Sequence, residues 1–231
     1  MKFRTIALTA CVLTFSTSVF SQISLFQKPF EISYEIGFTQ QMRRGAQYNN
    51  LNPIGICTGL TGSLFFTNKL SMQLGVIYSN LHYADEQDYE YGTYRLVQSN
   101  YSHNISVPIY AAYTVPLFEK VKFTVFAGPD IHYGLAEKRL VALSDGFASD
   151  SSAIANFQKE KGTFLNEGAT DLYKNEELQR LSISFDIGGG FEFSRFLLKG
   201  GYGFGLTNIN KIDNGNRLKQ SGWNISLGYK F

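Results

Sequence analysis

Apolar residues alternate with small or polar residues along most of the chain. The final stretch, GWNISLGYKF, shows the pattern clearly, with large apolar residues at every odd position from Trp223 to Phe231. Seven earlier segments, which begin near residues 32, 54, 72, 104, 121, 182 and 196, repeat the alternation. A period of two over about ten residues is typical of a transmembrane β-strand. We therefore predict an all-β fold, an eight-stranded antiparallel transmembrane β-barrel over residues 30–231.

The composition of the two strand faces and the lengths of the connections separate this prediction from a soluble β-sandwich. One face is large and apolar, whereas the other is mostly Gly, Ser, Thr and charged residues, which are too small and polar to form a core. Short connections are predicted near 67–69, 116–120 and 194–195, and longer ones near 44–53, 84–100, 137–181 and 210–221. Short periplasmic turns and long outer loops are typical of outer-membrane barrels.

The longest predicted loop, 137–181, is too long to be a plain connection. Two stretches in it, Ser149–Glu160 and Thr170–Leu181, begin like capped helices and are predicted to cover the barrel mouth. An additional hairpin in this loop, which would give ten strands, is the alternative.

The N-terminus predicts the compartment. Lys2 and Arg4 precede a short apolar run and small residues that suit cleavage before Gln22, so residues 1–21 are a predicted signal peptide. Residues 22–29 would form a short periplasmic segment ahead of the barrel. The predicted location is the cell outer membrane of a Gram-negative bacterium.

Charge and cysteine content exclude other classes of protein. Cleavage removes Lys2 and Arg4 from the 21 basic residues and leaves 19, which equals the 19 acidic residues. A nucleic-acid-binding protein would carry a clustered basic excess, so none is expected as a partner. Cys57 would be the only cysteine of the mature chain, which excludes an intramolecular disulfide.

Charged residues of both signs fall on the small face of the predicted strands. A basic side chain facing lipid near the midplane costs roughly 2–4 kcal/mol, so these residues are predicted to face the lumen and pair there. The predicted lumenal network is Glu35, Lys122, Asp130, His132, Asp186, Glu192, Lys199 and Lys230. An eight-stranded barrel has an interior that side chains fill, so a plugged lumen is expected.

Four stretches resemble one family of barrels. NISVPIYAAY (Asn104–Tyr113) resembles a strand of the form IPLLLKY, and FTVFAGPDIHYGL (Phe123–Leu135) resembles an AGP…GY strand. FDIGGGFEF (Phe185–Phe193) and LLKGGYGFGLTNI (Leu197–Ile209) resemble the late pair of strands that ends in GLTNI. The chain is thereby similar to PorT-like outer-membrane β-barrels, from which it departs at Ala112 and Asp130. The resemblance implies a functionally mixed family whose best-known member supports protein secretion, and it brings no catalytic residues.

The histidines are the residues most open to a catalytic interpretation. His82 and His103 are predicted to point outward near the outer ends of adjacent strands, where an aromatic belt is the simpler reading and a lipid-modifying active site the alternative. His132 shares the lumenal face with Asp130, which favours a structural pair. The glycine runs lack nucleotide-binding spacing, so no catalytic residue, cofactor site or metal site is predicted.

The remaining candidates are surfaces. Tyr89, Tyr91 and Tyr94 lie in the predicted loop 84–100, and tyrosine-rich loops are good contact surfaces. Trp223, Tyr229 and Phe231 resemble the C-terminal signal that the outer-membrane assembly machinery recognises. We predict a non-enzymatic barrel that acts structurally or through its loops, with outer-membrane lipid, the assembly machinery and secretion or envelope proteins as partners. A lipid-modifying enzyme and a narrow channel are the alternatives.

Overall fold

The computed structural model describes residues 30–45, 48–89, 94–161, 168–211 and 217–231. The predicted signal peptide 1–21 and the segment 22–29 lie outside these residues. The elements are β1 (Phe30–Gly45), β2 (Tyr48–Leu51), β3 (Ile54–Phe65), β4 (Leu70–Tyr89), β5 (Tyr94–Phe118), β6 (Val121–Leu143), α1 (Asp145–Ser149), α2 (Ser151–Lys161), β7 (Gly168–Asp171), β8 (Leu181–Phe193), β9 (Phe196–Gly205) and β10 (Lys219–Lys230).

Eight long strands close into a ring. The order is β10-β9-β8-β6-β5-β4-β3-β1, and β1 pairs with β10 to complete the barrel. All neighbours are antiparallel, and the closing seam runs from the pair Ser33–Lys230 to the pair Arg44–Lys219. The predicted eight-stranded antiparallel barrel is confirmed. β2 and β7 are short additions outside the ring, so the alternative ten-stranded barrel does not form.

The alternation of the sequence becomes an alternation of exposure. On β1 the outward apolar side chains Ile36 and Phe38 are 53% and 63% exposed. Ser33 and Glu35, at the inward positions of the same strand, are 5% and 7% exposed. Outward apolar residues are tolerated because they face hydrocarbon, and the polar positions instead face a lumen that has to satisfy them. Phe126 is one of the few large apolar side chains buried on the inner face.

Three strands extend well past the length that a membrane requires. β4, β5 and β6 have 20, 25 and 23 residues, against about 9–11 for a tilted membrane-spanning strand. The predicted loop 84–100 is therefore largely strand, since β4 continues to Tyr89 and β5 begins at Tyr94. The reason is that the extension lies outside the membrane, where strands need no lipid-facing apolar side and polar sequences pair equally well.

The segment between β6 and β8 combines the two helices α1 and α2 with the short strand β7. The predicted helix at Ser149–Glu160 is present as α2, where Asp150 accepts hydrogen bonds from the backbone N–H groups of Ser152 and Ala153 at 3.0 Å. The predicted helix at Thr170–Leu181 is wrong, because β7 pairs with β6 and a turn follows it. Ala153 and Ile154 of α2 pack against Leu96 and Val141 of the extended sheet.

Among the residues that the structure describes, no helix is both long enough and apolar enough to cross a membrane.

Candidate functional site

The periplasmic end of the lumen contains an ion-paired layer made by the strands themselves. Lys230 contacts Glu31 and lies 2.8 Å from Glu192, which also pairs with Lys122 at 3.2 Å. Lys122 is 48% exposed, whereas Glu192 and Lys230 are each 12% exposed. The structure thus brings three of the predicted network residues together at this end, with Glu31 as an additional member.

A second layer lies above it. Lys199 donates to Glu35 at 2.6 Å, and Ser226 donates to the second oxygen of Glu35 at 3.0 Å. Phe126 lies at the same level of the lumen, where its ring stacks on Tyr110 with centroids 5.0 Å apart. This layer separates a lower cavity of about 30 Å³ from an upper cavity of about 120 Å³, because Lys199 and Phe126 line both.

The wall of the upper cavity formed by β6 and β8 contains a hydrogen-bonded chain. Asp186 accepts from Ser184 at one oxygen and from Tyr110 at 2.8 Å at the other. Because the Ser184 hydroxyl donates to Asp186, the His132 Nε2–H at 3.0 Å donates to Ser184. Asp130 lies 3.8 Å from the same His132 nitrogen. This geometry differs from a catalytic triad, in which the histidine uses its two nitrogens for the carboxylate and the serine.

The outer end of the lumen holds a buried pair that the sequence reasoning missed. Arg43 makes a bidentate contact with Glu137, one arm of which is a 2.8 Å hydrogen bond, and the side chains are 6% and 1% exposed. Tyr173 donates to Glu137 at 3.4 Å. Nearby, Arg139 pairs with Glu177 at 3.1 Å.

A bulge in β6 explains why Glu137 and Arg139 face inward. The register of β5 with β6 shifts by one residue between the pairs His103–Ala136 and Asn104–Gly134. The shift exchanges the two faces of the strand. Below the bulge the even positions, such as His132, face the lumen, and above the bulge the odd positions face it. Arg180 holds the bulge by donating to the carbonyls of Gly134 and Leu135 at 3.0 and 2.9 Å.

Glycine at position 134 leaves the space that Tyr173 occupies. A Cβ atom there would lie 1.9 Å from the Tyr173 hydroxyl. Burial raises the pKa of Tyr173 above its ordinary value, and the charge of Glu137 raises it further, so the hydroxyl stays protonated as a donor. The Arg180 guanidinium lies over its ring at 4.7 Å.

An apolar cap covers this layer. Leu172, Leu178, Ile209 and Leu218 are 1–4% exposed and pack together from two outer loops. The Gln179 N–H donates to the Ile209 carbonyl and joins the two loops, and the Ile209 N–H donates to the Leu218 carbonyl within the second loop. A cavity of about 10 Å³ lies between the cap and the lumen, lined by Leu178 and Ile209 above and by Arg43 and His132 below. The cap therefore sits on the lumen mouth.

The outward histidines lie among tyrosines. The His103 ring nitrogen Nδ1 is 2.7 Å from the Tyr78 hydroxyl, and the His82 ring lies 4.6 Å from that of Tyr101. Ser102 is buried on the lumenal face, opposite to His103. These contacts fit the simpler reading of both histidines as members of an aromatic belt, which stays a prediction.

The predicted contact and assembly residues are placed as follows. Tyr89 and Tyr94 form the last pair of the β4–β5 ladder, and Tyr91 lies outside the described residues. Trp223 donates to the Gln40 side chain on the closing seam. The Phe231 backbone N–H donates to Ile32 at 3.0 Å, and its ring lies 5.7 Å from Tyr229. The assembly role of these aromatic residues stays a prediction.

Within the described ranges, no group of three or more His, Cys, Asp and Glu residues is arranged to hold a metal ion.

Three solved structures to which this chain is similar share little sequence with it. Ail, the attachment invasion locus protein of Yersinia pestis, is 18% identical with a TM-score of 0.38, over 88% of this chain and 100% of that chain. Neisserial surface protein A is 12% identical with a TM-score of 0.43, over 88% and 98%. The outer membrane enzyme PagL is 12% identical with a TM-score of 0.34, over 84% and 98%.

No curated protein matches the chain. The family described as "Outer membrane protein beta-barrel domain" matches residues 20–211, which is most of the chain. The protein is an integral protein of the outer membrane, and its chain belongs to the outer membrane protein beta-barrel domain family.

Proposed function

We propose that the protein is a non-enzymatic outer-membrane barrel with a closed lumen, which acts by binding another protein through its extracellular sheet. The observation that carries this proposal is the extension of β4, β5 and β6 far beyond the rim, with α2 packed on the extension through Ala153 and Ile154. A barrel whose only role was structural would need no such extension. The PorT-like resemblance favours a component of a secretion or envelope system as the partner.

The edge of β4 supplies a mode of binding. β3 stops pairing at Ile54–His82, so within the described residues the stretch 84–89 of β4 has β5 as its one strand partner. An unpaired strand edge accepts an extended segment as an additional strand. The sequence of this stretch contains Asp85, Glu86 and Asp88, of which Asp88 lies opposite Arg95 of β5. The balance is still acidic, so a partner segment with basic side chains would be complementary.

The layers of side chains across the lumen argue against a role as a channel. Ion-paired side chains cross it at the levels of Lys230, Lys199 and Arg43, and the apolar cap lies above them. The cavities between these layers have about 120, 30 and 10 Å³. A lipid-modifying enzyme based on His82 or His103 finds less support, because the contacts of these rings are with Tyr101 and Tyr78.

A photo-crosslinking experiment in cells tests the proposal. A crosslinking amino acid at Ala84, on the free edge, is expected to capture a partner, whereas one at Asn68, in the periplasmic turn, is not. The triple variant D85N/E86Q/D88N is expected to lose the capture at Ala84, because it removes the complementary charge. Capture at Asn68 alone would contradict the proposal and favour a periplasmic partner. Unchanged capture in the triple variant would contradict the recognition of basic segments.

A further inference from the structure

The outer surface of the closing seam changes from apolar to basic in a definite order. The outward pairs of β1 and β10 are Phe38–Ile225, then Gln40–Trp223, then Met42–Ser221 and finally Arg44–Lys219. Phe38 and Ile225 are 63% and 51% exposed, as expected in contact with lipid chains. The seam therefore presents apolar, then amide and indole, and then cationic groups with increasing height.

The height of this series fits the layers of a membrane. From Phe30 to Gln40 the strand rises roughly 25 Å, at about 3.3 Å per residue and a tilt of about 40°, which equals the apolar band of an outer-membrane barrel. The Trp223 N–H donates to Gln40 at this level, as is typical of interfacial residues. Arg44 and Lys219 then lie roughly 10 Å higher, in the headgroup region.

The two cations are placed where they repel each other. Arg44 and Lys219 are exposed and are direct cross-strand partners, and like charges in that position are destabilising. Arg217, also exposed, adds a third positive charge next to Lys219. None of the three has an ion pair or hydrogen bond with the side chains that the structure describes. The neighbouring Arg43, by contrast, is neutralised in the lumen by Glu137.

We infer that the seam residues Arg44, Lys219 and Arg217 bind a phosphate group of a phosphorylated glycolipid in the outer leaflet. Arginine and lysine side chains donate to phosphate oxygens, and an anion between Arg44 and Lys219 turns their repulsion into attraction. Trp223 and Gln40 contact the region between phosphate and acyl chains, and Phe38 and Ile225 contact the chains. Each part of the lipid thus meets a matching group at the same seam.

Native mass spectrometry of the folded protein tests this site. The probes are bisphosphorylated lipid A and its dephosphorylated form, each added to detergent micelles that contain the barrel. The wild type is expected to retain the phosphorylated lipid about tenfold better, and the variant R44Q/K219Q to lose that preference. The exchange variant R44K/K219R keeps both charges and is expected to keep the preference. Heat-dependent migration in gels verifies that each variant is folded.

The matched control is K138Q/K174Q, which removes the same charge from exposed positions elsewhere at the outer end. It is expected to retain the preference of the wild type. The inference is overturned if R44Q/K219Q binds like the wild type, or if the control variant loses the preference equally, since net charge would then suffice. Displacement of the lipid by millimolar inorganic phosphate would assign the site to free phosphate and overturn the lipid assignment.

Discussion

The two ends of the lumen are closed in different ways. At the periplasmic end, Lys122, Glu192 and Lys230 come from the barrel strands, and Lys122 is 48% exposed. At the outer end, the pair Arg43–Glu137 is 6% and 1% exposed and contacts Tyr173 of an extracellular turn. The periplasmic layer therefore belongs to the barrel wall and is partly exposed to solvent, whereas the outer layer is buried and anchors the cap. Breaking the outer layer should therefore lower the free energy of unfolding far more than breaking the periplasmic layer.

Urea titration followed by the fluorescence of the single tryptophan, Trp223, measures this difference. Variants that break the outer layer should lower the free energy of unfolding more than variants that break the periplasmic layer.

Substitution E137A isolates the buried pair. It leaves the Arg43 guanidinium buried without its carboxylate, which we expect to lower the free energy of unfolding by about 3–5 kcal/mol. The double variant R43M/E137M removes both charges and should recover most of this loss. If E137A and the double variant are equally destabilised, lost packing rather than the stranded charge is responsible.

Substitution K199M probes the middle layer of the lumen. Glu35 would keep the hydroxyl of Ser226 but lose its cation, and the side chains of Lys199 and Glu35 are 14% and 10% exposed. We expect a loss of about 2–3 kcal/mol in the same urea titration. K122M, in the more exposed layer, is the control and should cost less than about 1 kcal/mol. A larger effect for K122M than for K199M would reverse the proposed order.

The pair Glu176–Lys211, on the outside of the cap, is expected to have the smallest effect of these ion pairs on the free energy of unfolding. The hydrogen bond and charge of Lys211 hold the pKa of the Glu176 carboxyl below its ordinary value. A carboxyl whose pKa is lowered by folding stabilises the folded state at any pH above its ordinary pKa. This stabilisation is lost as the pH falls through the lowered pKa. Because the pair is exposed, K211Q should leave the unfolding free energy unchanged.

Carbon-detected NMR titration of the Glu176 carboxyl tests this point directly. In K211Q the pKa should return toward the ordinary value for glutamate. An identical titration curve in K211Q and the wild type would contradict the pairing.

Regular alternation is what allowed the barrel to be predicted from the sequence. Lys122, Lys199 and Lys230 lie in phase with small residues on strands that cross lipid, so lipid excludes them from the outer face and leaves the lumen. The energetic penalty for a charged side chain that faces lipid is large and applies residue by residue, so the alternation can be recognised in the sequence. The ring of eight strands follows from the same constraint.

The outer layer was not predictable from alternation, for two physical reasons. Arg43 continues the phase of Glu35, but it lies beyond the last apolar residue of the predicted strand, where lipid imposes no pattern. Extending that phase past Thr39 would have found it. Glu137 lies after the bulge, and Leu135 is an ordinary residue that gives no sign of a register shift. Gly134 is the single hint, since it leaves room for Tyr173.

Conductance of the purified barrel in planar bilayers tests the closed lumen most directly. With the layers at Lys230, Lys199 and Arg43 and the cap above them, the wild-type protein should give a quiet baseline with no regular current steps. Stable, reproducible current steps from the folded wild type would contradict the account.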